Sequence, residues 1–163
     1  MTRLLAAILL ATLLPIASPV LAGDGAPTAY YPERADDAAR LDAALAAARA
    51  EGKLAVIVFG ADWCHDSQAL AALLTSDAFQ AEFGARFSVT FIDVGVPQDG
   101  RGRNLDLAAR FGVAKMPGTP TMVVVSPKGK RLNGKHDAYS WRNAASRSEA
   151  EVIGWFRQIA AKE

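Results

Sequence analysis

The stretch Leu54-Ala55-Val56-Ile57-Val58-Phe59-Gly60-Ala61-Asp62-Trp63-Cys64-His65-Asp66-Ser67 decides the fold. Its first six residues are an unbroken apolar, β-branched run of strand length, the pattern of a strand buried on both faces. A loop follows, and a helix is expected to begin at or near Cys64, with Leu70, Leu73 and Leu74 as its apolar stripe. Cys64 is the only cysteine of the 163 residues, so no internal disulfide can form. Thiol–disulfide exchange needs a thiolate, and the unpaired N–H groups at a helix start favour that anion. His65, when protonated, adds a cation beside the sulfur, while Asp62 and Asp66 pull the other way.

Upstream, residues 23–32 read as an extended lead-in carrying the pair Tyr30-Tyr31. An Ala-rich helix is expected over 36–50, opened by Asp36 and Asp37 and stopped by Gly52. Downstream, the pattern predicts a short helix over Asp77–Phe83 capped by Ser76, then a strand over 87–94. Residues 95–103 read as a long surface loop, and Asn104 as the cap of a helix running to Arg110 and ended by Gly112. A third strand over Thr121–Val125 leads through a turn at 126–129 into an antiparallel return at 130–132. Residues 133–147 read as irregular. A last helix over 148–161 presents Val152, Ile153, Phe156 and Ile159 on one face. This order implies one α/β domain over 36–163, with a mixed four- to five-stranded sheet and helices on both faces.

Composition supports that reading. Hydrophobic residues make up 51% of the chain and charged ones 21%, which fits a chain that builds a core and not a disordered one. Residues 1–22 read as a signal peptide: Arg3 opens it, Leu4 to Leu14 are apolar, and Val20-Leu21-Ala22 offers a cleavage site after Ala22. The alternative is an uncleaved N-terminal anchor. No cysteine follows the apolar stretch, which excludes lipoprotein processing. The formal charge of +1 falls to zero once Arg3 is removed, leaving no electrostatic reason to expect nucleic acid or an anionic membrane surface. A periplasmic or secreted location follows, with no membrane association after cleavage. In such an oxidising compartment a lone thiol pairs between molecules or is oxidised.

Far downstream of Cys64, Gly118-Thr119-Pro120-Thr121 runs directly into an apolar strand. Together with Trp63-Cys64-His65-Asp66-Ser67 at a strand-to-helix junction, this resembles the thioredoxin family, in an exported monothiol branch with a Cys-His-Asp-Ser site. Ala109-Arg110-Phe111-Gly112-Val113 before the proline and the strand–turn–strand after it extend the similarity from about Asp36 onward. The resemblance implies a thioredoxin fold in which Cys64 is the nucleophile and Pro120 a cis-proline lying against it. Trp63 would be the flanking aromatic, and Thr119 and Asp66 would border the substrate. It implies protein or low-molecular-weight disulfides as partners and no metal or organic cofactor. Two departures bear on mechanism. Ser67 stands where the resolving cysteine would be, leaving its hydroxyl to hydrogen-bond the thiolate. Val58 stands where many relatives bury an acid.

Other readings stay open on the residues alone. The fold could serve as a redox-inactive binding or chaperone-like module, or Cys64 could be oxidised to a sulfenic acid in a peroxide sensor. Cys64, His65 and Asp66 are adjacent in the chain, and consecutive residues rarely converge on one metal ion. The cluster Trp141-Arg142-Asn143 either lines the groove by the thiol or caps the last helix, and His136 reads as part of a solvated turn. Oligomeric state is not encoded in any motif.

Overall fold

The computed structural model describes residues 28–162. The expected leader and its expected cleavage point after Ala22 lie outside the described residues, as do residues 23–27. The central strand β1 (Leu54–Gly60) is buried along its whole length. It pairs in parallel with β2 (Phe87–Asp93) on one edge and antiparallel with β5 (Thr121–Val125) on the other. Two short strands, β3 (Gly95–Val96) and β4 (Arg101–Gly102), form a separate ribbon, so the five strands lie in two sheets. The return expected at 130–132 is reduced to one bridge, Val125 to Arg131.

Alternation along β1 builds two cores. Leu54, Val56 and Val58 face one side with α2 (His65–Leu74), α3 (Asp77–Phe83) and α6 (Glu149–Ala160). Ala55, Ile57 and Phe59 face the other with α1 (Asp37–Ala50), α4 (Leu105–Ala109) and α5 (Lys135–Ser140). The first core is aromatic. Phe156 meets Phe79, Phe87 and Trp155 edge-on, with centroids 4.9, 5.2 and 5.0 Å away.

Helix termini follow their sequence signals where a side chain can reach the backbone. Ser76 accepts the Phe79 N–H at 3.2 Å. Ser148 and Glu151 form a reciprocal box at the start of α6. Asn104 departs from expectation: it adopts a left-handed conformation (φ 55°) and makes no cap. Its amide instead donates to Asp37 Oδ2 at 2.8 Å and to the Asp93 carbonyl at 2.9 Å, tying α1 to the end of β2. Residues 133–147 are not irregular. They form α5 and a 3₁₀ segment, Trp141–Ser146. Ala138, Trp141 and Ala144 recur every third residue and are all buried, a helical spacing hidden by the polar residues between them. Residues 95–103 are likewise no open loop, because Gly95 and Gly100, both at positive φ, turn the chain back on itself as the ribbon.

Replacing Phe156 by Ala removes the ring on which the first core converges and should lower the unfolding free energy by about 3–5 kcal/mol. Urea denaturation monitored by far-UV circular dichroism measures this, and a loss near 1 kcal/mol would show that the core closes over the gap.

Candidate thiol site

β1 delivers the chain to the head of α2, and β5 brings back the segment that faces it. Phe59 is registered with Thr121, so the residues just before Thr121 lie beside the residues just after Phe59. Cys64 occupies the N-cap position of α2 in extended conformation. Its N–H donates to the Ala61 carbonyl and its own carbonyl accepts from Gln68, both at 3.0 Å, which fixes the backbone on both sides of the sulfur. The Cys64 thiol donates to the Thr119 carbonyl at 3.2 Å. The Thr119–Pro120 peptide bond is cis. Only 9% of Cys64 is exposed, whereas Trp63 beside it is 57% exposed. The indole N–H of Trp63 is pinned to the Gly95 carbonyl at 3.0 Å. Thr119 Oγ1 is buried without a partner among the described residues.

Ser67 is fully buried, and its hydroxyl is not bonded to Cys64. Ser67 Oγ accepts the Ala61 N–H at 3.4 Å, so the serine braces the loop before the thiol and does not solvate the sulfur. Its carbonyl accepts the Tyr31 hydroxyl at 3.2 Å. Burial, reinforced by the charges of Cys64 and Asp62, holds that hydroxyl well above its ordinary 10.0, so Tyr31 remains a donor. Gly60 makes room for this arrangement. A Cβ there would lie 2.6 and 2.7 Å from Tyr31 ring carbons and 2.8 Å from Ser67 Oγ.

The two nearby acids are both engaged by backbone. Asp62 Oδ1 accepts the N–H groups of Tyr30 and Tyr31 at 2.9 and 3.2 Å, docking the lead-in against the site. Asp66 Oδ1 accepts the Ala145 N–H at 2.8 Å and straps the 3₁₀ segment to α2. Asp66 is therefore a brace in this structure. His65 is exposed and lines a shallow depression with Thr28, Tyr30 and Gln68, with no hydrogen bond to Cys64. The Trp141-Arg142-Asn143 cluster divides its roles. Trp141 is core, with the Arg147 guanidinium 4.1 Å above its ring. The Arg142 stem packs on Gly118, where an added Cβ would approach it to 3.1 Å, so Arg142 borders the loop that carries Thr119. Tyr31 and Asp62 escaped the sequence reading as parts of one clasp, although the tandem tyrosines marked the segment.

Behind Trp63, the Asp93 carboxylate accepts the Gly95 N–H at 3.2 Å and pairs with Arg103 at 3.0 Å. Burial raises the Asp93 carboxyl above its ordinary 3.8. The Gly95 N–H and Arg103 oppose that shift, while Glu33 and Asp37 add to it. Val58, which the family resemblance sets where many relatives bury an acid, is fully buried in the aromatic core. No group of three metal-ligating side chains occurs among the described residues.

These features coincide with a known family. A family model described as thioredoxin-like matches residues 37–127, more than half the chain. A disulphide isomerase from Xylella fastidiosa Temecula1 superposes with a TM-score of 0.72 at 33% identity, covering 82% of this chain and 98% of that one. A thioredoxin from Thermus thermophilus is 27% identical, with a TM-score of 0.49 over 84% of this chain and 90% of that one. No curated protein matches the sequence. The chain belongs to the thioredoxin-like family, and its fold is the thioredoxin fold with a single cysteine at the head of α2.

The folded state binds a proton at Asp93 more readily than the unfolded chain does. That stabilising contribution is complete below pH 3.8 and lost as pH rises through the raised folded value. Asp93→Asn should remove this dependence while keeping an acceptor for Gly95. Urea titrations from about pH 3 to about pH 6 should show the wild type losing stability relative to the variant as pH rises. A constant difference would mean that Asp93 ionises as freely in the fold as out of it.

Proposed function

We propose that the protein is an exported monothiol thiol–disulfide exchange protein, acting on protein or low-molecular-weight disulfides. The observation that carries this reading is the place of its one sulfur, at the N-cap of α2 and against the carbonyl that precedes a cis-proline. On ionisation the Cys64 thiol gives up its bond to the Thr119 carbonyl, and the thiolate attacks one sulfur of a substrate disulfide. A Cys64–substrate disulfide forms, the substrate S–S bond breaks, and the second substrate sulfur leaves as a thiolate. An external thiolate then attacks the mixed disulfide and returns Cys64 to the thiolate form. The two steps exchange partners with no net change in oxidation state of Cys64, and no cofactor enters.

Trp63 offers an exposed ring beside the sulfur for an incoming chain, and Thr119 offers backbone for an extended segment to pair with. Pro120 keeps that backbone clear of its own N–H, and Ser67 and Asp66 hold the loop and the neighbouring segment in place. His65, at the start of α2, is exposed on the rim beside Cys64. The relative described as a disulphide isomerase accords with shuffling chemistry, which a single nucleophile can perform. The near-burial of Cys64 favours the second reading, a thioredoxin-fold binding module that has lost turnover.

Cys64→Ser should abolish both the formation of a mixed disulfide with oxidised glutathione and the reactivation of scrambled ribonuclease. Intact mass spectrometry and the ribonuclease assay read the two outcomes. Equal activity in the variant excludes the exchange reading, and a parent chain that binds clients but is inactive in both assays leaves the binding module. Ser67→Cys should create a vicinal dithiol able to reduce insulin, which the parent lacks. An inactive Ser67→Cys protein with both thiols intact would show that the site geometry does not support an internal disulfide.

A further inference from the structure

Two parts of the chain meet at the thiol, Gly60 at the end of β1 and Ser67 in the first turn of α2. Between them the Cys64 thiol rests on the Thr119 carbonyl at 3.2 Å. The spacing of strand end and helix start therefore decides where the sulfur lies relative to Thr119. The turn's own brace across that gap, from the Ala61 N–H to Ser67 Oγ, is long at 3.4 Å.

A side chain from the lead-in fills the gap. A Cβ on Gly60 would meet Tyr31 Cε1 and Cζ at 2.6 and 2.7 Å and Ser67 Oγ at 2.8 Å, so the hydroxyl end of the tyrosine ring converges on both sides of the turn. The hydroxyl then donates to the Ser67 carbonyl at 3.2 Å. The Tyr31 N–H donates to both oxygens of the Asp62 carboxylate at 3.2 Å, so main chain and side chain together grip the turn before and after Cys64. Phe91 backs the ring edge-on, with centroids 5.3 Å apart. Burial chiefly, and then a charge on Cys64, raise the Tyr31 hydroxyl, which sets the phenol within electrostatic reach of the sulfur. Tyr31 lies outside residues 37–127, the stretch matched to the family.

We propose that Tyr31 is a positioning residue for exchange at Cys64: seated between Gly60 and Ser67, it holds the head of α2 so that the sulfur and the Thr119 main chain face one substrate together. The proposal rests on the exchange reading given above. An extended peptide disulfide must lie along Thr119 and offer its sulfur to Cys64 at the same time, so its reaction depends on the spacing between the two. A small disulfide that pairs with no backbone depends only on the thiolate and its exposure. Tyr31 makes and breaks no bond in either reaction. Its effect reaches the sulfur through Ser67 and Asp62, and the lead-in is by this account a working part of the site.

Second-order rates of Cys64 in the full chain with two probes test this. One is a short uncharged peptide whose single cysteine carries a 2-pyridyl disulfide, and the other is methyl 2-pyridyl disulfide. Attack on the alkyl sulfur of either releases the same pyridine-2-thione, read by absorbance, and the ratio of the two rates cancels any change in thiolate fraction. Tyr31→Phe keeps the ring and removes one hydrogen bond, so the peptide rate should fall about fivefold while the methyl probe stays within about twofold. Tyr139→Phe, which removes a buried hydroxyl beside the opposite core, should leave the ratio unchanged. Should Tyr31→Phe unfold, Asp62→Ala frees the Tyr31 main chain and should lower the ratio in the same direction. An unchanged ratio in the folded variant, or an equal fall in Tyr139→Phe, overturns the proposal and leaves Tyr31 a packing residue. A parent chain whose Cys64 reacts with neither probe overturns the exchange reading itself, and the proposal with it.

Discussion

Strand β1 is hydrogen-bonded on both edges and buried on both faces, and the rest of the molecule is registered to it. Its odd and even side chains belong to different cores, so a slip of one residue would exchange Val56 and Val58 for Ile57 and Phe59. The same register places the thiol. Pairing of Phe59 with Thr121 brings the Thr119 carbonyl to the end of β1 from which Cys64 emerges. A shift in β5 would leave the sulfur facing a different backbone group. The thiol site is in this sense a product of sheet registration, with the helix contributing only its first turn.

Around that point the structure uses backbone groups where a sequence reading looks for side-chain chemistry. Asp62 and Asp66 stand in the sequence as charges beside a thiol, yet each accepts backbone N–H from a distant segment. Ser67 appears as a substitute for a second thiol, yet it braces Ala61. Buried backbone donors need partners, and a short polar side chain at a loop is the economical way to supply one. The site is thereby assembled from the lead-in, the β1–α2 junction, the loop before β5 and the 3₁₀ segment.

The fold was legible because its signals are local. The apolar run at 54–59, the Ser76 and Ser148 caps and the Thr-Pro-Thr entry to β5 each depend on a few neighbouring residues. What escaped the sequence depends on contacts between distant residues. The helical character of 135–146 is masked by charged residues on its exposed side. Asn104 resembles a cap, but tertiary acceptors on Asp37 and Asp93 claim its amide and fix it at positive φ. The division of five strands into a sheet and a ribbon turns on two glycines at positive φ, which composition does not distinguish from flexible loop residues. At the site, the lone cysteine and the cis-proline were legible as a spaced pair of motifs. The clasp of Tyr31 on Ser67 was not, since a tyrosine 36 residues upstream carries no mark of where its hydroxyl will land.

The carbonyl that meets Cys64 lies 55 residues further along the chain, and the segment strapped to Asp66 lies 79 residues beyond it. A ribosome adding about 5–20 residues each second therefore releases Cys64 several seconds before its cover is made. Over that interval the sulfur is an open thiol on an incomplete chain, and closure of the last third of the molecule both builds the site and ends its indiscriminate exposure.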